Sequence, residues 1–267
     1  MNEKIIKKEK KTSINKFLNG TISIEQFTEG GRSGSDTILL ASAVNAKQGD
    51  TILEVGVGNG VASIALAKQL KGIRILGIDS FEENVRLAKK NIDRNNLSNQ
   101  VFVNHADITK KGINFSINHN QIKIFEHVFM NPPYYDIKKS QLSVSKINKV
   151  SKFVDQENID SWIEVSYKYL RSKGTLTVIN KIANLDRIIN TLYKLGSIKV
   201  LPLITRHSSE PKRVIISFRK ESKDEFRILP PLILHEDNGY YKKNVEDILR
   251  GRSRINMNKT NYIHAIR

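Results

Sequence analysis

The chain has 267 residues, no cysteine, and 44 Lys plus Arg against 27 Asp plus Glu, a formal net charge of +17. That length buries a sizeable core in one decorated domain; the missing cysteines exclude a disulfide framework and a thiolate metal site. No apolar run approaches the roughly eighteen residues of a membrane span, and the charge points to a polyanionic partner.

Total charge alone is ambiguous, because the chain is rich in Lys, Ile and Asn together, as A+T-rich coding produces. Clustering favours nucleic acid. Lys138, Lys139, Lys146, Lys149 and Lys152 occur without an intervening acid; Arg206, Lys212, Arg213, Arg219 and Lys220 form a second group; Arg250, Arg252, Arg254, Lys259 and Arg267 form a third. The lysine-rich start, Met1 to Lys11, has no apolar stretch behind it and does not read as a signal peptide, so a reducing cytoplasm is the expected location. The six histidines show no i,i+4 pair, and no metal site is expected.

In chain order, Thr37 to Val44 reads as a helix capped by Asp36, and Thr51 to Gly56 as a strand. Val61 to Leu70 spaces Ile64, Leu66, Ala67 and Leu70 helically; Ile73 to Ile78 is a strand ending at Asp79; Glu82 to Asn95 is a helix. Val101 to Val103 and Phe125 to Met130 are strands, Val154 to Leu170 a helix with Asp155 as N-cap, Gly174 to Ile179 a strand and Asp186 to Leu195 a helix. Ile198 to Ile204 and Val214 to Phe218 close the pattern as an antiparallel pair. Alternating strands and helices predict an α/β fold, Rossmann-like, with helices on both faces of a seven-stranded, mostly parallel sheet and an antiparallel C-terminal edge strand. Residues 105–124 and 136–153 read as long polar connections. The expected division is a basic N-terminal segment 1–26, a main domain 27–220 and a basic extension 221–267 that packs on or flanks it, or ends as an RNA-binding arm or flexible tail.

Glu54-Val55-Gly56-Val57-Gly58-Asn59-Gly60 joins the first strand of this pattern to the following helix. Glycines permit the tight turn and close approach of a ligand to the backbone. The spacing is G-x-G-x-G rather than the G-x-G-x-x-G of dinucleotide folds. Asp79 ends the next strand, 19 residues after Gly60, where a carboxylate can accept both ribose hydroxyls. Glu54, beside the turn, suits the ammonium of an amino acid. S-adenosylmethionine fits a ligand with a ribose and a zwitterion but no pyrophosphate, and NAD fits it less well. Asp107, flanked by Ala106 and Ile108 after a third strand, suits the exocyclic amine of its adenine; a turn-forming Asp is the competing reading.

Asn131-Pro132-Pro133-Tyr134-Tyr135 follows the strand that ends at Met130. Two prolines forbid helix and ladder pairing there, so the chain displays an amide and two rings at a strand's carboxyl edge, where open α/β sheets bind ligands. The Asn131 side-chain oxygen and the Pro132 carbonyl can each accept one N–H of a planar amine, orienting its nitrogen towards an electrophile. Tyr134 would stack on the target ring, for roughly 1–3 kcal/mol, which offsets much of the cost of flipping a base. Pro133 and Tyr135 complete this rim, and Lys138, Lys139, Lys146 and Lys149 follow it as contacts for phosphates.

These residues resemble class I S-adenosylmethionine-dependent methyltransferases of the (N/D)PP(Y/F) amino group. More narrowly, the stretch from about Phe27 to Tyr241 resembles the bacterial tRNA (adenine-N6) methyltransferases that modify the adenine 3′ of the anticodon of a valine tRNA. The narrower likeness rests on the lead-in Gly31-Arg32-Ser33-Gly34-Ser35-Asp36-Thr37-Ile38-Leu39-Leu40-Ala41 and on Pro230-Pro231-Leu232-Ile233-Leu234-His235. It implies a lead-in that closes over the cofactor, with Arg32, Ser33 and Asp36 beside it. A tRNA partner and a monomer or weak dimer are expected. The same motif serves glutamine N5-methyltransferases of release factors, which carry a substantial helical domain before the glycine loop, and guanine-N2 methyltransferases of ribosomal RNA, where phenylalanine often follows the prolines. A basic RNA-binding module with a degenerate core is the non-enzymatic alternative.

Overall fold

The computed structural model describes residues 11–29, 32–108, 110, 113, 115–117, 120–122, 124–132 and 159–266. Strands β1 (Thr12–Phe17) and β2 (Ile22–Phe27) open it as an antiparallel hairpin. The sequence pattern assigned no element here, because the buried polar residues Glu25 and Gln26 break the apolar alternation of β2. Ile22 and Ile24 are nevertheless fully buried, each contributing roughly 1.5–3 kcal/mol. The turn between the strands uses left-handed backbone at Leu18, Asn19 and Gly20.

Helix α1 (Ser35–Ala43) leads into β3 (Thr51–Val55), α2 (Val61–Gln69), β4 (Arg74–Asp79), α3 (Glu82–Arg94) and β5 (Val101–His105). The predicted cap of α1 is corrected. Extended Gly34 occupies the cap position without a side-chain bond, and Asp36 lies inside the first turn, paired with Arg213. Within the connection read as loop, β6 (Phe115–Ile117) and β7 (Asn120–Ile122) form a hairpin, anchored by Phe115 edge-on to Phe125 and Tyr169. Then come β8 (Phe125–Met130), α4 (Ile159–Tyr169), β9 (Leu170–Lys181), a 3-10 turn (Ile182–Asn184) and α5 (Leu185–Leu192). Strands β10 (Gly196–Ile204) and β11 (Arg213–Lys220), short β12 (Arg227–Ile228) and β13 (Leu232–Ile233), α6 (Lys243–Leu249) and the hairpin β14 (Ser253–Ile255) with β15 (Ile263–Ala265) complete the chain.

The main sheet runs β12-β10-β11-β9-β8-β3-β4-β5, with β13 also paired to β10. Its seven long strands are those expected. The hairpin lies at one end of the sheet, with β11 inserted antiparallel between β9 and β10 and the two short strands beyond. Strand alternation sends side chains to two cores. Ile52, Ile75, Phe129 and Ile215 face α1, α2, α3 and the first hairpin, whereas Leu53, Leu76, Val128 and Ile216 face α4, α5 and the β6–β7 hairpin.

The C-terminal segment is folded against α1. Val245, Ile248, Ile255 and Met257 join the first core. Buried Arg254 donates to the Val44 carbonyl at 2.5 Å and to Gln69 Oε1 at 2.8 Å, closing the end of α1. Burial pushes its guanidinium down to about 10.

The basic groups separate along the structure. Strand β11 carries Arg213 at one end and Lys220 at the other, about 23 Å apart at ~3.3 Å per residue. Lys220 lies 4.2 Å from the centre of the Tyr167 ring and donates to the Tyr167 and Leu170 carbonyls. Arg250 pairs with Glu246 and Arg252 with Asp247. Much of the second and third clusters therefore serves folding, and Arg206 and Lys212 remain exposed at the end of β11 nearer the strands' carboxyl edge.

Candidate functional site

Strand register assembles the site. Val55 pairs with Met130 on one side and Ile78 on the other. The next residues along these three parallel strands, Gly56, Asn131 and Asp79, are therefore level at the carboxyl edge. Neighbouring strands lie ~4.8 Å apart, so Asn131 and Asp79 flank the glycine turn across about 10 Å. Asp79 in turn pairs with His105, which brings Ala106 and Asp107 to the edge of the next strand.

Gly56, Gly58 and Gly60 all have positive φ (75°, 54° and 83°), where side chains are disfavoured. A Cβ on Gly56 would lie 3.1 Å from the Trp162 ring, whereas one on Gly58 would meet nothing within 4 Å. The turn thus packs tightly at Gly56 and presents bare backbone to open space at Gly58.

Asp79 is 7% exposed. Its Oδ2 accepts the Gly58 amide at 2.9 Å, and its Oδ1 accepts the Phe81 amide at 2.9 Å and Asn84 Nδ2 at 3.1 Å. The acid holds the glycine loop as well as marking the strand end. Its backbone carbonyl accepts the Ala106 amide at 3.0 Å, joining the third strand edge to the second. Ile108 is buried, and the Asp107 carbonyl accepts the Lys110 amide.

Glu54 is 4% exposed and points towards α2, where one oxygen accepts both the backbone N–H and the hydroxyl of Ser63. Burial pushes its carboxyl up to about 8, against the opposing Ser63 bonds, and the Asp79 charge adds to the rise. Asp36 is also shifted up by burial, with Arg213 opposing.

Arg32 donates to Asn15 Oδ1 at 2.7 Å, and Ser33 donates its hydroxyl to Asn59 Oδ1 at 2.9 Å. The lead-in is thereby brought to the glycine loop. Asn59, Asn84 and Trp162 were not singled out in the sequence, although Asn59 lies within the glycine motif. Pro132 is buried and Asn131 partly exposed. Pro133, Tyr134, Tyr135, Lys138, Lys139, Lys146, Lys149, Lys152 and the Asp155 cap lie outside the described residues.

His105, at the end of β5, places a ring nitrogen 2.9 Å from the Ser80 carbonyl. His127 lies near the opposite edge, between Asp50 (2.9 Å) and Thr175 (2.5 Å), and burial shifts its pKa down. Among the described residues no group of three His, Asp or Glu side chains could hold a metal ion, and no helix is long and apolar enough to cross a membrane.

Comparison with known proteins agrees with this geometry. A tRNA1(Val) (adenine(37)-N6)-methyltransferase from Glaesserella parasuis is 25% identical over 209 residues, spanning 78% of this chain and 83% of that protein. One from Flavobacterium psychrophilum is 22% identical over 232 residues, spanning 86% and 95%. A predicted O-methyltransferase from Agrobacterium tumefaciens superposes with a TM-score of 0.65 at 22% identity, covering 81% of this chain and 96% of its own. A T. thermophilus 16S rRNA N2 G1207 methyltransferase gives 0.55 at 14% identity, covering 79% and 50%. At these identities the solved structures establish the fold. Residues 30–200 match the methyltransferase small domain family, and with the glycine turn, Asp79 and Asn131 level on one sheet edge, the chain belongs to that family.

Proposed function

We propose that the chain transfers a methyl group from S-adenosylmethionine to the exocyclic N6 amine of an adenine in tRNA, next to the anticodon of a valine tRNA. The observation that carries this reading is the register that sets Asn131 beside Gly56 and Gly56 beside Asp79. The curated relatives named above share both the adenine-N6 activity and the tRNA substrate in their names.

The chain's residues fit the methyl donor. Bare backbone at Gly58 leaves space that a side chain would fill. Asp79 offers carboxylate lone pairs to a ribose, Glu54 a buried acid to the ammonium end, and Asp107 with the Ala106–Ile108 backbone an edge for adenine. When bound, the donor supplies a methyl group on a positively charged sulfur.

Everything else is orientation. The Asn131 amide oxygen and the Pro132 carbonyl accept the two N–H groups of the target amine and direct its lone pair at the methyl carbon. A carbon–nitrogen bond forms as the carbon–sulfur bond breaks, and the surplus amine proton leaves to water. No strong base is needed, because the methylated amine sheds that proton readily. Holding the reactants in line supplies most of the acceleration. Tyr134 stacks on the flipped base, and Arg206 and Lys212, exposed at this end of the sheet, join the lysines after Tyr135 in meeting phosphates.

The deciding experiment is methylation of total tRNA with isotopically labelled donor, followed by nucleoside mass spectrometry. N6-methyladenosine is expected. N2-methylguanosine, or no label in RNA, overturns the reading.

A further inference from the structure

The first hairpin carries a buried polar hub that the methyl-transfer reading leaves unused. Gln26, near the end of β2, is 2% exposed, and both ends of its amide are hydrogen-bonded. Its Oε1 accepts the Ser33 backbone N–H at 2.9 Å and Asn59 Nδ2 at 2.9 Å. Its Nε2 donates to Asn15 Oδ1 at 3.1 Å, the same oxygen that Arg32 reaches at 2.7 Å. One amide oxygen therefore ties the hairpin to both the lead-in and the glycine loop.

The tie continues into the loop. Asn59 Oδ1 accepts the Ser33 hydroxyl at 2.9 Å and faces the Val61 amide at 3.3 Å, at the start of α2. The Asn59 carbonyl accepts Asn91 Nδ2 at 2.9 Å, and Asn91 Oδ1 accepts the Glu25 amide at 2.8 Å, returning to the hairpin. The hairpin itself is fixed to α3 by Glu25. The neighbouring Lys90 ammonium, helped by Arg94 and Thr12, holds the Glu25 carboxyl down at about 2.

We infer that Gln26 is a positioning residue for the methyl-donor site. It sets the lead-in, with Arg32 and Ser33, against the glycine turn at Asn59, so that the wall facing the donor is assembled before anything binds. Hydrophobic burial alone does not require this amide. Ile22 and Ile24 already anchor β2 in the core, and a buried amide with both ends satisfied fixes one arrangement rather than adding general stability. Its acceptor oxygen is the functional part, because both segments being joined present donors to it.

The inference rests on the S-adenosylmethionine reading of the site, and two near-isosteric variants separate acceptor from volume. Gln26→Met keeps the bulk and removes the acceptor; Gln26→Glu keeps an acceptor for Ser33 and Asn59. Calorimetry with S-adenosylhomocysteine as the probe should show Gln26→Met raising Kd about tenfold, as for the loss of a pair of buried hydrogen bonds, with Gln26→Glu within about threefold of wild type. Hydrogen exchange at the Ser33 amide, measured without ligand, should rise in the Met variant and stay slow in the Glu variant. Equal affinities in the two variants, or a Ser33 amide protected in both, overturns the inference. Wild-type protein that fails to bind the probe defeats the donor reading instead, while the exchange experiment still decides the tie.

Discussion

The carboxylate of Asp79 accepts the backbone N–H of Gly58 at 2.9 Å. An acid at the end of one strand thus fixes the glycine loop that follows its neighbour, and the residue read as a ribose contact also shapes the turn beneath the ligand. Asp79→Ala removes both roles. Bonds to a charged partner contribute about 1.5–3 kcal/mol each, so donor affinity should fall between about tenfold and a hundredfold. Titration calorimetry of wild type and variant measures this, and unchanged affinity contradicts the assignment.

Glycines of the same turn should respond differently to alanine. Left-handed backbone costs a side chain about 1–2 kcal/mol at either position. At Gly56 the new Cβ also meets the Trp162 ring at 3.1 Å, whereas at Gly58 it meets open space. Gly56→Ala should lower the melting temperature more than Gly58→Ala. Gly58→Ala should keep its fold and lose donor affinity, because the methyl occupies ligand space. Thermal unfolding with and without S-adenosylhomocysteine compares the two; a larger melting shift in Gly58→Ala reverses the picture.

Asn131→Ala should leave donor binding near wild type while turnover falls by at least about a hundredfold, the scale of a misplaced reacting group. The separation follows from position: Asn131 follows the end of β8, whereas Asp79 ends β4 on the far side of the glycine turn. Single-turnover methylation of tRNA and calorimetry on the same preparation give both quantities. Near-normal turnover removes Asn131 from the reaction.

Much of this edge was legible because glycine, proline and strand-terminal acids carry their constraints locally. Gly56, Asp79 and Asn131 each follow an apolar run whose end is visible in the sequence, and parallel pairing sets them level. Gln26 was illegible for the opposite reason. A buried amide is recognised only by its partners, and those lie 7 and 33 residues away at Ser33 and Asn59. The basic groups misled similarly. Arg213 and Lys220 are close in sequence, but they sit at opposite ends of one extended strand. Arg254 reads as part of a cationic tail, yet a helix end supplies carbonyls that hold it in the core. Asp36 has the composition of a cap, and its actual partner, Arg213, comes from the last long strand.

Glu54 gives the site a pH dependence with a definite sign. Burial raises its carboxyl from 4.5 to about 8. The folded protein therefore holds a proton that the unfolded chain has released. This contribution to stability is greatest below the unfolded value and is lost as pH rises through the window to about 8. Melting temperature of the ligand-free protein should fall across that window, and Glu54→Gln should flatten the slope. An ammonium placed beside Glu54 favours its charged form, so donor binding near neutral pH should release a proton that is already gone above about pH 9. Calorimetry in two buffers of different ionisation enthalpy reads this directly. The heats should differ near neutrality, converge at high pH, and coincide throughout in Glu54→Gln. Identical heats for wild type at neutral pH would separate Glu54 from the ammonium and leave it the role of bracing Ser63 beneath the turn.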